Sequence, residues 1–248
     1  MKKFYISFVT FTCLLICNSL WAMDIPSATT TVLSQSTQLL LVTADNSNSL
    51  TAILQRYQRN HPSASWSKVG APIAVVLGKK GLAWGGTIAK PAAAEITLDK
   101  KEGDSRTPIG VFALGPAFGF APGDPQLKLD YLALTPYSVC VDDQKSTYYN
   151  QIIDSSQVAK NSWRSGEQMH EVPGYKMGAV IQYNQVQTKP GAGSCIFLHI
   201  WRDANTGTAG CVATTAENLK EILTWLDPRK QPMIAIFPAH YSAAMTKS

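Results

Sequence analysis

A histidine and a cysteine stand twelve residues apart towards the C-terminal end of the sequence. His199 lies in an apolar run with strong β character, and Cys211 follows the small residues Thr208-Ala209-Gly210. A thiol beside an imidazole is a nucleophile with its own general base, a pair that supports acyl transfer through a covalent intermediate. The sequence therefore predicts a nucleophilic Cys/His site.

The alternation of residues 195–201 assigns His199 to one face of a strand. In an extended chain the two faces consist of Ile196, Leu198 and Ile200, and of Cys195, Phe197, His199 and Trp201. The all-aliphatic face must be core, so we expect His199 on the second face beside two aromatic rings. A core histidine without a catalytic role is the alternative reading of this position.

The residues after Cys211 predict a helix that begins close to the thiol. Thr214 and Glu217 have the spacing of a capping box, and an apolar stripe follows at Leu219, Ile222, Leu223 and Leu226. A helix N-terminus and a nearby imidazole both lower the pKa of a thiol. The N–H groups of the Thr208–Gly210 segment are candidates for an oxyanion hole.

Short apolar runs separated by turn residues predict a β-rich scaffold. We expect strands over 39–42, 50–59, 65–69, 72–77, 139–141, 177–183 and 233–237, and one that begins after Pro108. A short helix is the alternative for 50–59. We also expect a loop over 117–134 that either covers a groove or only connects, and a short helix over 161–169. With no repeat and no second domain, the sequence predicts one mixed, β-rich α+β domain.

The N-terminal residues predict export. Lys2-Lys3, an apolar run over 4–16 and Ala22 have the order of a secretory signal peptide, expected over 1–22. An uncleaved N-terminal anchor is the alternative. No later run approaches the ~18 apolar residues of a membrane span. We expect a periplasmic or otherwise exported protein without stable membrane insertion, with a flexible leader over 23–36, a catalytic domain over 37–240 and a tail over 241–248.

Charge and histidine spacing argue against two classes of partner. The formal charge is +5, and loss of Lys2 and Lys3 leaves 20 basic and 17 acidic residues, or +3, without a basic stripe. We therefore expect no nucleic-acid partner. His61, His170 and His240 do not have the spacing of metal ligands, so we expect neither a metal nor a cofactor.

Two motifs resemble those of the YkuD-type L,D-transpeptidases of bacterial cell walls. His199 with Thr208-Ala209-Gly210-Cys211 resembles the H…[ST]HGC signature, and residues 106–112 (RTPIGVF) resemble the [RK]TPxGxF segment. The similarity spans roughly 38–237 and looks like one exported branch with TAGC. It implies a β-sandwich with a few short helices, and attack of a thiol on the diaminopimelate–D-Ala bond of a peptidoglycan tetrapeptide. A thioester then forms, and the amine of a second stem peptide resolves it.

The resemblance also implies a role for each matching residue. Cys211 is the expected nucleophile, His199 its general base and acid, and the backbone of Ile200 orients the imidazole. The N–H groups of Gly210 and Cys211, with Ala209 as a further donor, form the expected oxyanion hole. The expected substrate-binding residues are Arg106, Tyr131, Trp201, Arg202 and Ala209. Carbapenems are expected as covalent inhibitors.

Two departures from the family pattern leave the reaction open. Ala209 stands in place of the second histidine of the motif, and Val212-Ala213 replace the usual polar or basic residue after the cysteine. An L,D-carboxypeptidase or a related amide hydrolase, with water as the acceptor, is therefore an alternative. A catalytically inactive wall-binding module is another. A thiol-redox protein is less favoured, since the chain has no CxxC.

Three cysteines remain once the signal peptide is removed: Cys140, Cys195 and Cys211. An odd number in an oxidising compartment predicts one disulfide and one free thiol, or three free thiols. We hypothesise a Cys140–Cys195 disulfide that leaves Cys211 free. A Cys195–Cys211 disulfide, which would silence the nucleophile, is the competing arrangement.

Overall fold

The computed structural model describes residues 32–88, 90 and 96–242, so the expected signal peptide lies outside the described residues. The described strands are β1 (Gln38–Ala44), β2 (Thr51–Gln58), β3 (Ser67–Val76), β4 (Leu82–Trp84), β5 (Thr107–Gly119), β6 (Tyr131–Ala133), β7 (Ser138–Val141), β8 (Ile152–Asp154), β9 (Gly166–Gln168), β10 (Met177–Ile181), β11 (Phe197–Ile200), β12 (Val212–Thr214) and β13 (Met233–Pro238). The helices are α1 (Ala216–Trp225) and α2 (Ala239–Ser242), with single 3-10 turns at Ser155–Gln157, Met169–Glu171, Pro173–Lys176 and Pro228–Lys230.

The long strand β5 closes the main sheet on itself. Its residues Gly110–Ala113 pair with β13, and its residues Leu114–Gly119 pair with β10. From β10 the sheet continues through β11, β12, β3, β2 and β1 back to β13, while β4 and β6 add to β5. The expected fold class, β-rich with few short helices in one domain, is confirmed.

The main core lies inside this sheet. β1 and β13 run parallel to each other and are almost wholly buried, which accounts for their uninterrupted apolar sequences. Helix α1 covers the core with Leu219, Ile222 and Leu223, the stripe predicted from the sequence. Ile196 and Leu198 belong to this core, as expected for the aliphatic face of their strand.

A small second sheet, in the order β8-β7-β9, forms a separate apolar cluster with the main sheet. The buried members of this cluster are Phe118, Leu134, Cys140, Met169, Tyr175, Val180, Phe197 and Cys211. Phe197 and Cys211 are thus buried away from the main core. The expected nucleophile lies between the two sheets.

Several expected elements differ in the structure. The helix expected over 161–169 is absent, and the segment contains β9 instead. A Cβ on Gly166 would lie only 2.7 Å from Val139 Cγ1, so glycine permits the close approach of β9 to β7. The two strands expected at 65–69 and 72–77 are the single strand β3. Between them Gly70 adopts a φ of 65°, and the register of β3 with β2 shifts there. The pairing with β2 continues on both sides of this shift. β5 already includes Pro108, and the expected loop over 117–134 contains the end of β5 and all of β6.

The N-cap of helix α1 lies one residue later than expected. Thr215 is the N-cap and accepts a hydrogen bond from the N–H of Asn218 at 3.1 Å. Thr214 belongs instead to β12 and donates its hydroxyl to the carbonyl of Ala74. The expected capping box is wrong because Thr215, and not Thr214, caps the helix. Strand β12 lies between Cys211 and the helix in the chain, so the helix does not start directly after the thiol.

The ordered domain extends beyond both expected boundaries. Leu33, in the segment expected as a flexible leader, is buried in the main core. Tyr241, in the segment expected as a tail, is also buried and packs edge-on against Trp84 at 5.7 Å. The described part of the chain therefore packs from residue 33 to residue 241.

Candidate active site

Two parallel strands bring the histidine and the cysteine together. β11 carries His199, and β12 follows directly after Cys211. Their register pairs Leu198 with Val212 and His199 with Ala213. Both candidate residues line one cavity of about 370 Å³.

The thiol of Cys211 is almost entirely buried, with 5% of the residue exposed. Its Sγ accepts the N–H of Phe197 at 3.3 Å and lies 3.5 Å from the carbonyl of Cys195. Burial, and then the charge of Glu167, raise the pKa of Cys211 to about 12, although hydrogen bonds from Phe197 and Tyr175 act in the opposite direction. At neutral pH the resting group is a thiol, so attack requires a base.

The imidazole of His199 lines the same cavity and is held by the backbone. Its Nδ1 lies 2.8 Å from the carbonyl of Ile200. We assign the hydrogen to Nδ1, where it donates to this carbonyl and leaves Nε2 as a proton acceptor. Burial lowers the pKa of His199 to about 4, against which the bond to Ile200 acts, so the ring is neutral at pH 7. The expected role of the Ile200 backbone therefore has a geometric counterpart.

The turn before Cys211 is braced by one threonine. Thr208 Oγ1 accepts the N–H of Gly210 at 3.0 Å and donates to the carbonyl of Cys211 at 2.7 Å. The Gly210 N–H, an expected oxyanion donor, is therefore already engaged. Among the described residues the N–H groups of Ala209 and Cys211 have no acceptor, so these two are the available donors.

Charged side chains of both signs line the cavity. Glu102, Asp142 and Glu167 supply carboxylates, and the Oδ1 of Asp142 is buried without a hydrogen-bond partner in the described part of the chain. Lys100 is buried and forms an ion pair with Asp104 at 2.7 Å. Arg202 also lines the cavity, is exposed, and forms no ion pair with any described residue.

The expected substrate-binding residues fall into two groups. Trp201, Arg202 and Ala209 line the cavity. Arg106 and Tyr131 do not: the guanidinium of Arg106 donates to the carbonyl of Leu82 at 3.2 Å, and the Tyr131 hydroxyl donates to the carbonyl of Ala121. Both side chains hold neighbouring backbone instead of facing the thiol.

The structure contains a disulfide between Cys140 and Cys195 and leaves Cys211 as a free thiol. The disulfide joins β7 of the small sheet to the segment that leads into β11. Cys195 has a φ of 56°, so it lies outside the extended strand in which we expected it. Its carbonyl is nonetheless close to Cys211 Sγ, so the disulfide is adjacent to the candidate nucleophile.

Two side chains at the thiol were not anticipated from the sequence. Tyr175 is buried, and its ring packs edge-on against the His199 ring at 5.1 Å. Its hydroxyl donates to Glu167 Oε2 at 2.7 Å. Gly178 pairs with His199, and Tyr175 lies three residues before Gly178 in the chain. This register would have indicated that Tyr175 is near His199, but the sequence does not reveal it.

Within the described residues, no group of three or more His, Cys, Asp and Glu side chains has the arrangement of a metal site. No helix among the same residues has the length and apolar character needed to cross a membrane.

A family model for the L,D-transpeptidase catalytic domain, YkuD, matches residues 41–234. The chain belongs to the YkuD family. The matched range includes His199, Cys211 and the 106–112 segment, together with nearly all of the closed sheet. No curated protein and no solved structure matches the chain. The family acts on peptidoglycan peptides, and the YkuD domain supports a catalytic domain of the L,D-transpeptidase type.

Proposed function

We propose that this YkuD protein is an L,D-transpeptidase in which Cys211 attacks the diaminopimelate–D-Ala bond of a peptidoglycan stem tetrapeptide. The observation that carries the proposal is the cavity shared by a free thiol and a neutral imidazole. The proposal keeps the expected roles of His199 and of the Cys211 thiol, and of the Ile200 backbone. It revises the oxyanion donors and leaves Arg106 and Tyr131 out of the substrate-binding residues.

The acylation step follows from these groups. His199 Nε2 takes the proton of the Cys211 thiol as the sulfur attacks the carbonyl carbon of diaminopimelate. The oxyanion of the tetrahedral intermediate accepts the N–H groups of Cys211 and Ala209. The intermediate collapses to a thioester, the C–N bond breaks, and the imidazolium returns its proton to the amine of the departing D-Ala.

The second step reverses these roles. The amine of another stem peptide attacks the thioester and gives its proton to His199 Nε2. The new amide forms, and the proton passes to the leaving sulfur, which restores the thiol. The bond from Nδ1 to the Ile200 carbonyl holds the ring orientation through both steps.

The charges of the cavity fit a zwitterionic side chain at the reacting residue. Diaminopimelate carries an ammonium and a carboxylate at the end of its side chain. Asp142 and Glu167 supply the negative charge that an ammonium requires, and Arg202 supplies donors for a carboxylate. The positive charge thus comes from Arg202, while Arg106 lies outside the cavity.

Hydrolysis is the second candidate function, because Ala209 lines the cavity where other members carry a histidine. A methyl group presents no hydrogen-bonding group to an acceptor amine. An L,D-carboxypeptidase would use the same thioester with water as the second nucleophile.

We place the reaction in the periplasm or elsewhere outside the cytoplasm. The signal-like residues 1–22 support export, and a disulfide beside the nucleophile suits an oxidising compartment.

The test incubates the purified protein with a disaccharide tetrapeptide and follows the products by mass spectrometry. Release of D-Ala with a cross-linked dimer supports the transpeptidase, whereas D-Ala with tripeptide and no dimer supports the carboxypeptidase. In both cases Cys211→Ser and His199→Gln should lose activity by at least a hundredfold. His61→Gln is the matched control, since this histidine is exposed and its ring hydrogen-bonds with Ser63 outside the cavity of Cys211.

A carbapenem provides an independent measurement. The wild-type protein should gain the mass of one carbapenem on Cys211, and Cys211→Ser should gain none. If neither an adduct nor D-Ala release occurs with the folded wild-type protein, the enzymatic proposal is wrong and a wall-binding role takes its place.

A further inference from the structure

The side-chain amide of Asn150 closes the base of the loop between β10 and β11. Its Oδ1 accepts the N–H of Cys195 at 2.9 Å, and its Nδ2 donates to the carbonyls of Tyr183 and Asn184 at 2.9 and 2.8 Å. The reverse orientation of the amide would place Oδ1 against two carbonyl oxygens, so the three partners decide between the two orientations. Asn150 is buried, and its amide thus joins the residues that enter and leave the loop.

The backbone of Asn150 is itself tied to β7. Its N–H donates to the carbonyl of Val141, the last residue of that strand, at 2.8 Å. Its φ of 64° lies in the left-handed region, which asparagine adopts more readily than most residues with a Cβ. Cys140 of the same strand forms the disulfide with Cys195. Two anchors from the end of β7 therefore hold Cys195: a hydrogen bond on its N–H and a covalent bond on its side chain.

The peptide held by these anchors contacts the candidate nucleophile. The thiol of Cys211 donates to the carbonyl of Cys195 at 3.5 Å, and its Sγ accepts the N–H of Phe197 at 3.3 Å. Phe197 is fixed by its pairing with Val180 of β10, whereas Cys195 lies before β11 and outside that ladder. Cys195 also has a φ of 56°, a costly conformation that its anchors must maintain. The position of its carbonyl therefore depends on Asn150 and on the disulfide.

The two contacts of the sulfur have different effects. The carbonyl of Cys195 accepts the hydrogen of the thiol and so fixes the direction of the S–H group, while the N–H of Phe197 remains a donor once the proton has gone to His199. A reacting atom that is misplaced by about 1 Å can cost roughly a hundredfold in rate. The Cys195 carbonyl is thus part of the alignment of the nucleophile.

Asn150 does not line the cavity of Cys211, so it acts there only through Cys195. We propose that Asn150 is a positioning residue of the active site: its amide fixes the Cys195 peptide, and the carbonyl of that peptide fixes the Cys211 thiol for attack. This inference rests on the proposed function, in which Cys211 is the nucleophile. It gives a role in the reaction to a side chain that touches neither the substrate nor the sulfur.

The first test follows acylation of the purified protein by a carbapenem at neutral pH, over a range of carbapenem concentrations. Asn150→Gly keeps the left-handed backbone and removes the amide. Its maximal acylation rate should fall about tenfold, because the thiol is no longer aligned. The carbapenem concentration that gives half the maximal rate should be unchanged, since Asn150 does not line the cavity.

Asn150→Asp separates positioning from stability. Its carboxylate keeps an oxygen for the Cys195 N–H, but it puts the second oxygen against the carbonyls of Tyr183 and Asn184. At neutral pH it should therefore be no more stable in urea than Asn150→Gly. Its maximal acylation rate should nevertheless exceed that of Asn150→Gly and stay close to that of the wild type. A purely structural role predicts instead that stability and acylation rate fall together.

Asn184→Gly is the matched control within the same loop. Asn184 has a φ of 54°, and its side chain hydrogen-bonds with Lys189 and Gly193 and not with Cys195. Its replacement should lower stability and leave the acylation rate unchanged. Asn161→Gly controls for the backbone, since Asn161 is exposed and has a φ of 67°. It should match the wild type in both measurements.

A maximal acylation rate of Asn150→Gly equal to that of the wild type, with both proteins folded by circular dichroism, would overturn the proposal. If Asn150→Gly does not fold, Asn150→Asp decides. A rate close to that of the wild type supports the role of Oδ1 as the acceptor, and a rate about tenfold lower contradicts it.

Alkylation of Cys211 by iodoacetamide, located by mass spectrometry without reductant, needs neither substrate nor carbapenem. It therefore tests the role of Asn150 even where the wild-type protein is not acylated and the proposed function fails. Loss of the Cys195 carbonyl as an acceptor favours the thiolate over the thiol. Asn150→Gly should thus be alkylated faster than the wild type, and Asn150→Asp at the wild-type rate. Equal rates for Asn150→Gly and the wild type would contradict the role of the amide.

Discussion

The backbone of Gly210 determines where the thiol of Cys211 stands. Gly210 has a φ of 149°, a value that L side chains rarely adopt. A Cβ at this position would lie 3.0 Å from the carbonyl of Arg106 and 3.2 Å from Ile196 Cδ1. Glycine before the cysteine is thus required by conformation and by space together.

Replacement of Gly210 by alanine should therefore impair stability and reaction at once. We expect Gly210→Ala to lower the free energy of unfolding by roughly 1–3 kcal/mol and to slow carbapenem acylation at least tenfold, because the strained turn moves the thiol. Urea denaturation and adduct formation measure the two effects. Gly86→Ala is the control: Gly86 has a φ of 76° but no atom within 4 Å of its ideal Cβ, so it should lose about 1 kcal/mol and keep wild-type acylation. Wild-type acylation by Gly210→Ala would contradict the argument.

The residues of the site could be predicted from sequence where chemistry and local pattern coincide. Cys211 and His199 were recognisable from their types, the small-residue turn and the family motif. Tyr175 and Glu167 were not, because neither belongs to a motif and each reaches the thiol only through strand pairings. Arg106 was placed in the site by its motif, yet its guanidinium holds the carbonyl of Leu82.

At the scale of elements, the disulfide connects the small sheet to the strand that carries His199. Cys140 lies on β7 and Cys195 precedes β11, with a sequence separation of 55 residues. The Cys195 N–H is held by Asn150 Oδ1 at 2.9 Å, and its carbonyl is near Cys211 Sγ. The disulfide therefore affects both the stability of the domain and the surroundings of the thiol.

Removal of this disulfide should destabilise the protein strongly. For a loop of 55 residues, chain entropy gives about 4 kcal/mol. We expect Cys140→Ser/Cys195→Ser to lose roughly that much in urea denaturation without reductant, and to be insensitive to added reductant. Cys211→Ser keeps the disulfide, so added reductant should lower its stability by about as much as it lowers that of the wild type, whatever the cost of the buried hydroxyl itself. Insensitivity of Cys211→Ser to reductant would point to a different pairing.

Elements with an unambiguous pattern were predicted well, and those defined by pairing were not. The apolar runs of β1 and β13 and the stripe of α1 were clear, because burial on both faces or on one face leaves a direct trace in sequence. The segment 161–169 has turn residues and one tryptophan, so local preference did not reveal that β7 recruits Gly166–Gln168 as a strand. The start of α1 was misplaced by one residue because Thr214 and Thr215 offer equivalent hydroxyls.

In the whole molecule, the candidate site lies where the closed sheet has the fewest paired residues. The candidate pair lies on β11 and directly before β12, and β12 joins β3 through a single residue pair, Ala213 with Val76. Elsewhere the sheet is paired extensively, as between β1 and β2 or along β5. Closure through β5 thus supports β10 and β11 from one side, and the small sheet supports the thiol from the other.

The half-buried imidazole of His199 links the stability of this whole domain to pH. Its pKa is about 4 in the folded protein because burial disfavours the charged ring, and it returns to the ordinary 6.5 on unfolding. Its contribution to stability is complete above pH 6.5 and is lost as the pH falls toward 4, because over that interval the unfolded chain binds a proton that the folded chain does not.

The titration of His199 should lower the free energy of unfolding by about 2 kcal/mol between pH 7 and pH 5. Urea denaturation of the wild type at the two pH values measures the loss. His199→Gln cannot titrate, so its stability should fall by about 2 kcal/mol less than that of the wild type over the same interval, whatever its absolute value. His61→Gln removes an exposed imidazole and should follow the wild type. An equal fall for His199→Gln and wild type would mean that the ring is already charged near neutral pH, and the base in the proposed reaction would then be absent from the resting enzyme.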